Sequence, residues 1–167
     1  LTFNGTSARV VVADAADLDL TTGMTIEAWV RPTALSGWRT VMMKERPGGL
    51  AYTLYAHDQS PRPAAYLNLG GGDRSTPGTA ALPLNTWSHL AATYDGAMLR
   101  LYVNGIQVGA QSMTGSIVGT SGALSIGGNS VWGEHFAGSI DEVRIYNRAL
   151  SAGEIQTDMA IPVGGTF

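Results

Sequence analysis

The stretch Asp95-Gly96-Ala97-Met98-Leu99-Arg100-Leu101-Tyr102-Val103-Asn104-Gly105 decides how this chain reads. Leu99, Leu101 and Val103 point one way and Arg100 and Tyr102 the other, the two-residue period of a strand with one face on a core. Asp95-Gly96 and Asn104-Gly105 close it at both ends, because these dipeptides tolerate the positive φ of tight hairpin turns. Three consecutive antiparallel strands follow, over Ser88 to Tyr94, Met98 to Asn104 and Ile106 to Gln111.

The same alternation extends outward. In Thr25 to Arg31, Ile26, Ala28 and Val30 share the core side while Glu27, Trp29 and Arg31 share the other. Further strands are expected over Arg9 to Ala13, Arg39 to Lys44, Ala51 to His57, Ala64 to Gly70, Ala123 to Ile126 and Gly138 to Tyr146, which brings the total to ten, enough for two sheets. Ile140 and Val143 both read as core-facing although strict alternation would separate them, so a bulge is expected at Asp141 or Glu142. Ser151 with Glu154 has the form of a capping box and predicts one short helix from Ser151 to Asp158. With no internal repeat and no linker before Pro162, the domain is expected to span residues 1–161, and 162–167 to be a tail or the start of a linker.

Composition agrees with this reading. The 167 residues suit one domain, and 44% apolar, 14% charged and 22 glycines fit short strands joined by tight turns. A net charge of -3 with ten scattered Lys and Arg residues offers no track for phosphates, so nucleic acid is not an expected partner. No run approaches the roughly 20 apolar residues of a membrane span, so no membrane insertion is expected. Leu1 is not an initiator, which leads to the expectation that a leader or upstream domain has been removed. The absence of cysteine excludes a disulfide framework and thiolate metal sites without fixing the compartment. His57, His89 and His135 lack metal-ligand spacing, so zinc is not expected.

Four segments in order carry a family resemblance: Phe3-Asn4-Gly5, the run from Met24 to Pro32, the run from Trp87 to Gly96, and the run from Phe136 to Ser151. With the Leu101-Tyr102-Val103-Asn104-Gly105 hairpin, the chain resembles the laminin-G-like domains of bacterial exported proteins, in the concanavalin A-like lectin/glucanase superfamily. Its closing segment is similar to that of pentraxins. The resemblance implies an all-β fold, a two-sheet antiparallel β-sandwich of the concanavalin A-like jelly-roll type with one short C-terminal helix. It also implies a secreted or cell-surface module, monomeric in isolation, attached to a larger exported enzyme or surface protein. Fold alone does not establish function.

In related jelly rolls an aspartate on the last long strand and carbonyl oxygens near the start of the chain hold a structural calcium. The resemblance therefore implies calcium shared by Asn4, Gly5 and Asp141, since calcium takes six to eight oxygen ligands. The competing reading is a plain turn at Asn4-Gly5 and an Asp141 paired with an arginine.

A sugar site needs an exposed aromatic ring beside hydrogen-bonding side chains. The loop from Gly127 to Phe136 supplies Trp132, Asn129, Glu134 and His135, with Trp132 the strongest candidate because its surroundings are polar and glycine-rich. Asp73 and Arg74, read as part of a loop from Gly70 to Thr76, and Asp58 and Arg62 in the loop from His57 to Pro63 can form a rim. Tyr66, with Tyr55 and Asn68, can line a groove on the face opposite the core, while Trp38 lies in a Ser-Gly-Trp-Arg turn near a strand start; plain packing is the alternative for each. Trp29 and Trp87, inside the strand motifs, are expected to be packing residues. The acidic cluster of the pentraxin ligand loop is reduced here to Glu134.

Catalysis is not expected. The Glu-x-Asp-x-x-Glu strand of jelly-roll glucanases is missing, as is a Gly-x-Ser-x-Gly elbow, and Gly70-Gly71-Gly72 lacks the following helix that would present amides to phosphate. The expected function is a non-catalytic, lectin-like module, calcium-stabilised, that binds a polysaccharide or other glycan; a protein-binding adhesive domain or a structural spacer is the alternative.

Overall fold

Turn chemistry sets the strand order. Asn104 and Gly105 take φ of 50° and 74°, so strand β9 (Met98–Val103) folds straight back as β10 (Ile106–Ser112). In the computed structural model, which describes residues 1–163, the remaining strands are β1 (Thr2–Asn4), β2 (Val10–Val12), β3 (Met24–Pro32), β4 (Arg39–Arg46), β5 (Gly49–His57), β6 (Ala64–Asn68), β7 (Asp73–Pro77), β8 (Ser88–Tyr94), β11 (Leu124–Ile126) and β12 (Ala137–Tyr146). Two six-stranded antiparallel sheets result, in the orders β1-β12-β3-β8-β9-β10 and β2-β11-β4-β5-β6-β7.

The core lies between the sheets. Ile26, Ala28 and Val30 of β3 are fully buried, as the alternation predicts, beside Leu90 and Ala92 of β8 and Leu101 of β9; Tyr52, Leu54, Ala56 and Leu67 of the second sheet belong to the same core. Burying each large apolar side chain contributes about 1.5–3 kcal/mol, so this continuous layer dominates the stability of the fold.

The bulge expected on the last strand is present. The pairing of β12 with β3 shifts between Asp141 and Arg144, and Glu142 takes φ of 52°. Two strands escape the sequence pattern. β1 is three residues long, and β7, Asp73 to Pro77, is a polar edge strand paired only with β6. Because β7 is a strand and not a loop, Asp73 and Arg74 point to opposite faces.

The closing helix α1 (Ala152–Ala160) starts at the Ser151 cap: Ser151 Oγ accepts from the Glu154 N–H at 3.3 Å and Glu154 Oε2 accepts from the Ser151 N–H at 2.8 Å. Ile155 packs with Leu150 on Ala91 and Tyr102, so α1 covers part of the outer face of the first sheet. The expected tail, residues 162–167, falls partly outside the described residues, at 164–167.

Glu27, on the non-core side of β3, is nevertheless fully buried. Among the described residues neither carboxylate oxygen has a hydrogen-bond partner; Arg144 Nη1 lies 3.5 Å from Oε1 and His89 Nε2 3.8 Å from Oε2. Burial, with the Asp158 charge adding to it and Arg144 opposing, pushes the Glu27 carboxyl up to about 7. Burial and the Arg144 charge depress the His89 imidazole to about 4. Glu27 binds its proton more tightly in the folded chain, so its contribution to stability grows as pH falls from about 7 toward 4.5. His89 acts oppositely, losing stability as pH falls from 6.5 toward 4. Comparing Glu27→Gln with the parent at each pH isolates the glutamate. Thermal melts should show the variant gaining Tm at pH 8 relative to any difference at pH 4.5; the same difference at both values would contradict the assignment.

Candidate functional site

Strand alternation places an aromatic group on the outer face of the second sheet. Tyr52, Leu54 and Ala56 of β5 face the core, so Tyr55 faces outward, toward Tyr66 of β6 and toward Trp38, which precedes β4. The Trp38 and Tyr55 ring centroids are 5.0 Å apart, Trp38 and Tyr66 5.9 Å, and Tyr55 and Tyr66 5.6 Å, all tilted or edge-to-face as ring quadrupoles favour.

The loop of residues 127–136 folds over this group. A bridge joins Gly128 to His135, and the Phe136 N–H donates to the Gly127 carbonyl at 3.0 Å. Glu134 Oε2 accepts from Tyr55 Oη at 2.8 Å, Asn129 Nδ2 at 2.7 Å and Thr40 Oγ1 at 3.3 Å. Asn129 Oδ1 accepts from the Trp132 N–H at 2.8 Å. A second carboxylate clamps the same loop: Glu45 accepts from the Ser130 N–H, from Ser130 Oγ and from Ser125 Oγ. Burial alone would raise the Glu45 carboxyl, but the hydrogen bonds from Ser130 and Ser125 hold it below the usual carboxylate range.

Trp132 stands at the loop tip, 47% exposed. Beneath it opens a cleft of about 290 Å³ lined by Trp38, Leu50, Tyr55, Tyr66, Asp73, Trp132 and Glu134. Burial, with Glu134 beside Tyr55 and Asp58 beside Tyr66, pushes both phenols far above their ordinary range. Both stay protonated and donate, Tyr55 to Glu134 and Tyr66 to Asp58 Oδ2 at 2.9 Å.

The structure therefore brings together Trp132, Glu134, Asp73 and Tyr66 from the sequence reading, with Tyr55 and Trp38. Asn129 is fully buried and positions Glu134 and Trp132 from behind. Asn68 turns to Asp73 and to the Gly70 N–H instead of lining the cleft. Arg74 does not join: it lines a separate depression with Leu69 and Met113. His135 does not join either, its ring lying against Gly128 and its carbonyl accepting from Arg39 Nη1 at 2.8 Å. Thr40, Glu45 and Leu50 are missed by sequence reasoning. The charged pair Lys44-Glu45 closing the apolar run Val41-Met42-Met43 was a signal for Glu45; nothing marks Thr40 or Leu50.

The residues implied for calcium do not fit a shared ion. Asn4 pairs with Ala137, four positions along β12 from Asp141, a separation of about 13 Å at strand spacing. Asn4 Oδ1 accepts the N–H groups of Thr6, Ser7 and Ala8, which makes Asn4-Gly5 a turn. The Gly5 carbonyl accepts from cationic Arg39. Among the described residues Asp141 Oδ1 accepts only from the Glu142 N–H, not from an arginine. Among the described residues no three His, Asp or Glu side chains form a metal-holding group.

Trp87 departs from the expectation of a packing residue. It is 41% exposed and, with Trp29, Asp141 and Glu142, lines a shallow depression on the first sheet.

A laminin G model described as the concanavalin A-like lectin/glucanases superfamily matches residues 4–156. The chain belongs to this family. Pappalysin-1 of Mus musculus is 36% identical over 78 residues, 44% of this chain and 5% of that protein, so the laminin-G-like domain matches a small part of that relative's length. Domain 4 of AbnA, an extracellular GH43 arabinanase of Geobacillus stearothermophilus solved with arabinotriose, superposes with a TM-score of 0.70 at 17% identity, covering 94% of this chain and 86% of that one. A heptameric SAP-like pentraxin of Limulus polyphemus gives 0.66 at 15% identity, covering 93% and 79%. These likenesses establish the fold. Among the described residues no helix is long and apolar enough to cross a membrane.

If Asn4, Gly5 and Asp141 share no ion, Asp141→Ala should change Tm equally in calcium and in chelator. A calcium-dependent rise in Tm that the variant loses would restore the shared site.

Proposed function

We propose that this laminin-G-like domain is a non-catalytic carbohydrate-binding module whose ligand occupies the Trp132 cleft. The observation that carries this is a half-exposed tryptophan held over a recess of aromatic rings and carboxylates. Flat rings stack on the apolar face of a sugar, and carboxylates accept from its hydroxyls. At about 290 Å³ the recess lies just below the roughly 300–1,000 Å³ of ligand pockets, which suits a short stretch of glycan and not a long chain. The arabinotriose complex of the AbnA domain supports the reading, since it puts a sugar on the same fold. In this proposal the domain works outside the cell or at its surface as part of a larger exported protein.

Affinity electrophoresis through gels containing soluble polysaccharides tests the reading. At least one polysaccharide should retard the domain, and Trp132→Ala should weaken that retardation at least tenfold, about 1.4 kcal/mol, with Tm nearly unchanged because the ring is half in solvent. Retardation unaffected by the substitution, or release of reducing ends, would contradict it.

A further inference from the structure

The charge and donor inventory of the cleft narrows the sugar. Two carboxylates line it, Asp73 and Glu134, with no lysine or arginine among the lining residues, and Asp58 stands behind Tyr66. Of the basic residues in the neighbouring strands, Arg39 binds the His135 and Gly5 carbonyls, Lys44 pairs with Asp14 and Arg74 lines the other depression. Arg46 stands behind the rim, its Nε donating to the carbonyl of the lining residue Leu50, and is not itself a lining residue.

The polar donors are also engaged. Tyr55 Oη and Tyr66 Oη point their hydrogens at carboxylates, and Asn129 Nδ2 donates to Glu134 and to Thr40 Oγ1. Apart from the indole N–H groups, the side chains lining the cleft present a ligand with acceptor capacity. The three donors on Glu134 all meet Oε2 and, among the described residues, leave Oε1 without a protein hydrogen bond; the Asn68 amide meets Asp73 at Oδ1 and leaves Oδ2 likewise. The walls are the rings of Trp38, Tyr55, Tyr66 and Trp132, whose faces carry negative potential.

Aromatic walls with unneutralised carboxylates and few free donors complement a cation. An ammonium group gains cation–π attraction to the rings and charge-assisted hydrogen bonds to the open carboxylate oxygens, both stronger where the recess excludes water. A uronate or sulfated sugar would bring like charge, and a neutral hydroxyl can donate to a carboxylate but gains neither the cation–π attraction nor the charge–charge attraction of an ammonium. We infer that the cleft selects a glycan unit carrying a free amine, an amino sugar in its ammonium form. This rests on the glycan reading above and names the class of sugar for the same site.

Calorimetric titration at pH 6 and low salt, where the sugar amine is protonated, tests it with four tetrasaccharides: a glucosamine oligomer, its N-acetylated counterpart, a glucose oligomer of the same linkage, and a uronate oligomer. The glucosamine oligomer should bind at least tenfold tighter than the next best. That preference should fade at pH 9 and at high salt, and fall at least fivefold in Asp73→Asn, which keeps the side-chain shape, and in Glu134→Gln. Asp141→Asn, on the opposite sheet, should leave it unchanged and so control for general attraction of cations to an acidic domain. Equal binding of the amine, acetylated and neutral oligomers would overturn the amine inference and leave the glycan reading standing. A preference that survives Asp73→Asn and Glu134→Gln would also overturn it. No binding of any of the four, together with no retardation by any polysaccharide, would remove both.

Discussion

Glu134 Oε2 is the point on which the site depends. Three donors from three parts of the chain meet there: Thr40 on β4, Tyr55 on β5 and Asn129 in the loop of residues 127–136. In a partly buried setting such a network is cooperative, and losing the acceptor would strand several buried donors at about 1–3 kcal/mol each. One carboxylate thus fixes the tyrosine at the cleft floor, closes the loop and, through Asn129, sets the Trp132 backbone.

Two other buried glutamates show how the protein uses burial. Glu45 receives donors from Ser125 and Ser130 and is held in the charged form, a second tie between β4 and the same loop. Among the described residues Glu27 receives no hydrogen bond, and its deeper burial pushes it toward neutrality. The donors on Glu45 offset a burial penalty that nothing on Glu27 offsets as fully. The face bearing the cleft is a satisfied polar network laid over aromatic rings, which holds a recess in place while leaving Trp132 in solvent.

Much of the architecture was legible in the sequence because it rests on local rules. Alternation in β3 and β9, the Asn104-Gly105 turn, the Ser151 capping box and the bulge at Asp141 and Glu142 each follow from a few neighbouring residues. The grouping of Trp132, Glu134, Asp73 and Tyr66 was also legible, since an aromatic in a polar loop and outward tyrosines on adjacent strands point to one surface. What failed depended on long-range register. The pairing of Asn4 with Ala137 carries Asp141 away from the chain start, and no local pattern shows that offset. Likewise β7 lacks apolar alternation because it is an exposed edge, so the opposed faces of Asp73 and Arg74 were hidden.

The four tryptophans divide evenly between the two sheets, Trp38 and Trp132 at the cleft and Trp29 and Trp87 on the opposite face. Their indole N–H resonances therefore report directly on where ligand binds. Titration with a bound saccharide, followed by nitrogen-15 correlation spectra assigned by single Trp→Phe variants, should shift the Trp38 and Trp132 signals and leave Trp29 and Trp87 in place. Shifts confined to Trp29 and Trp87 would place the binding surface on the other sheet and contradict the account.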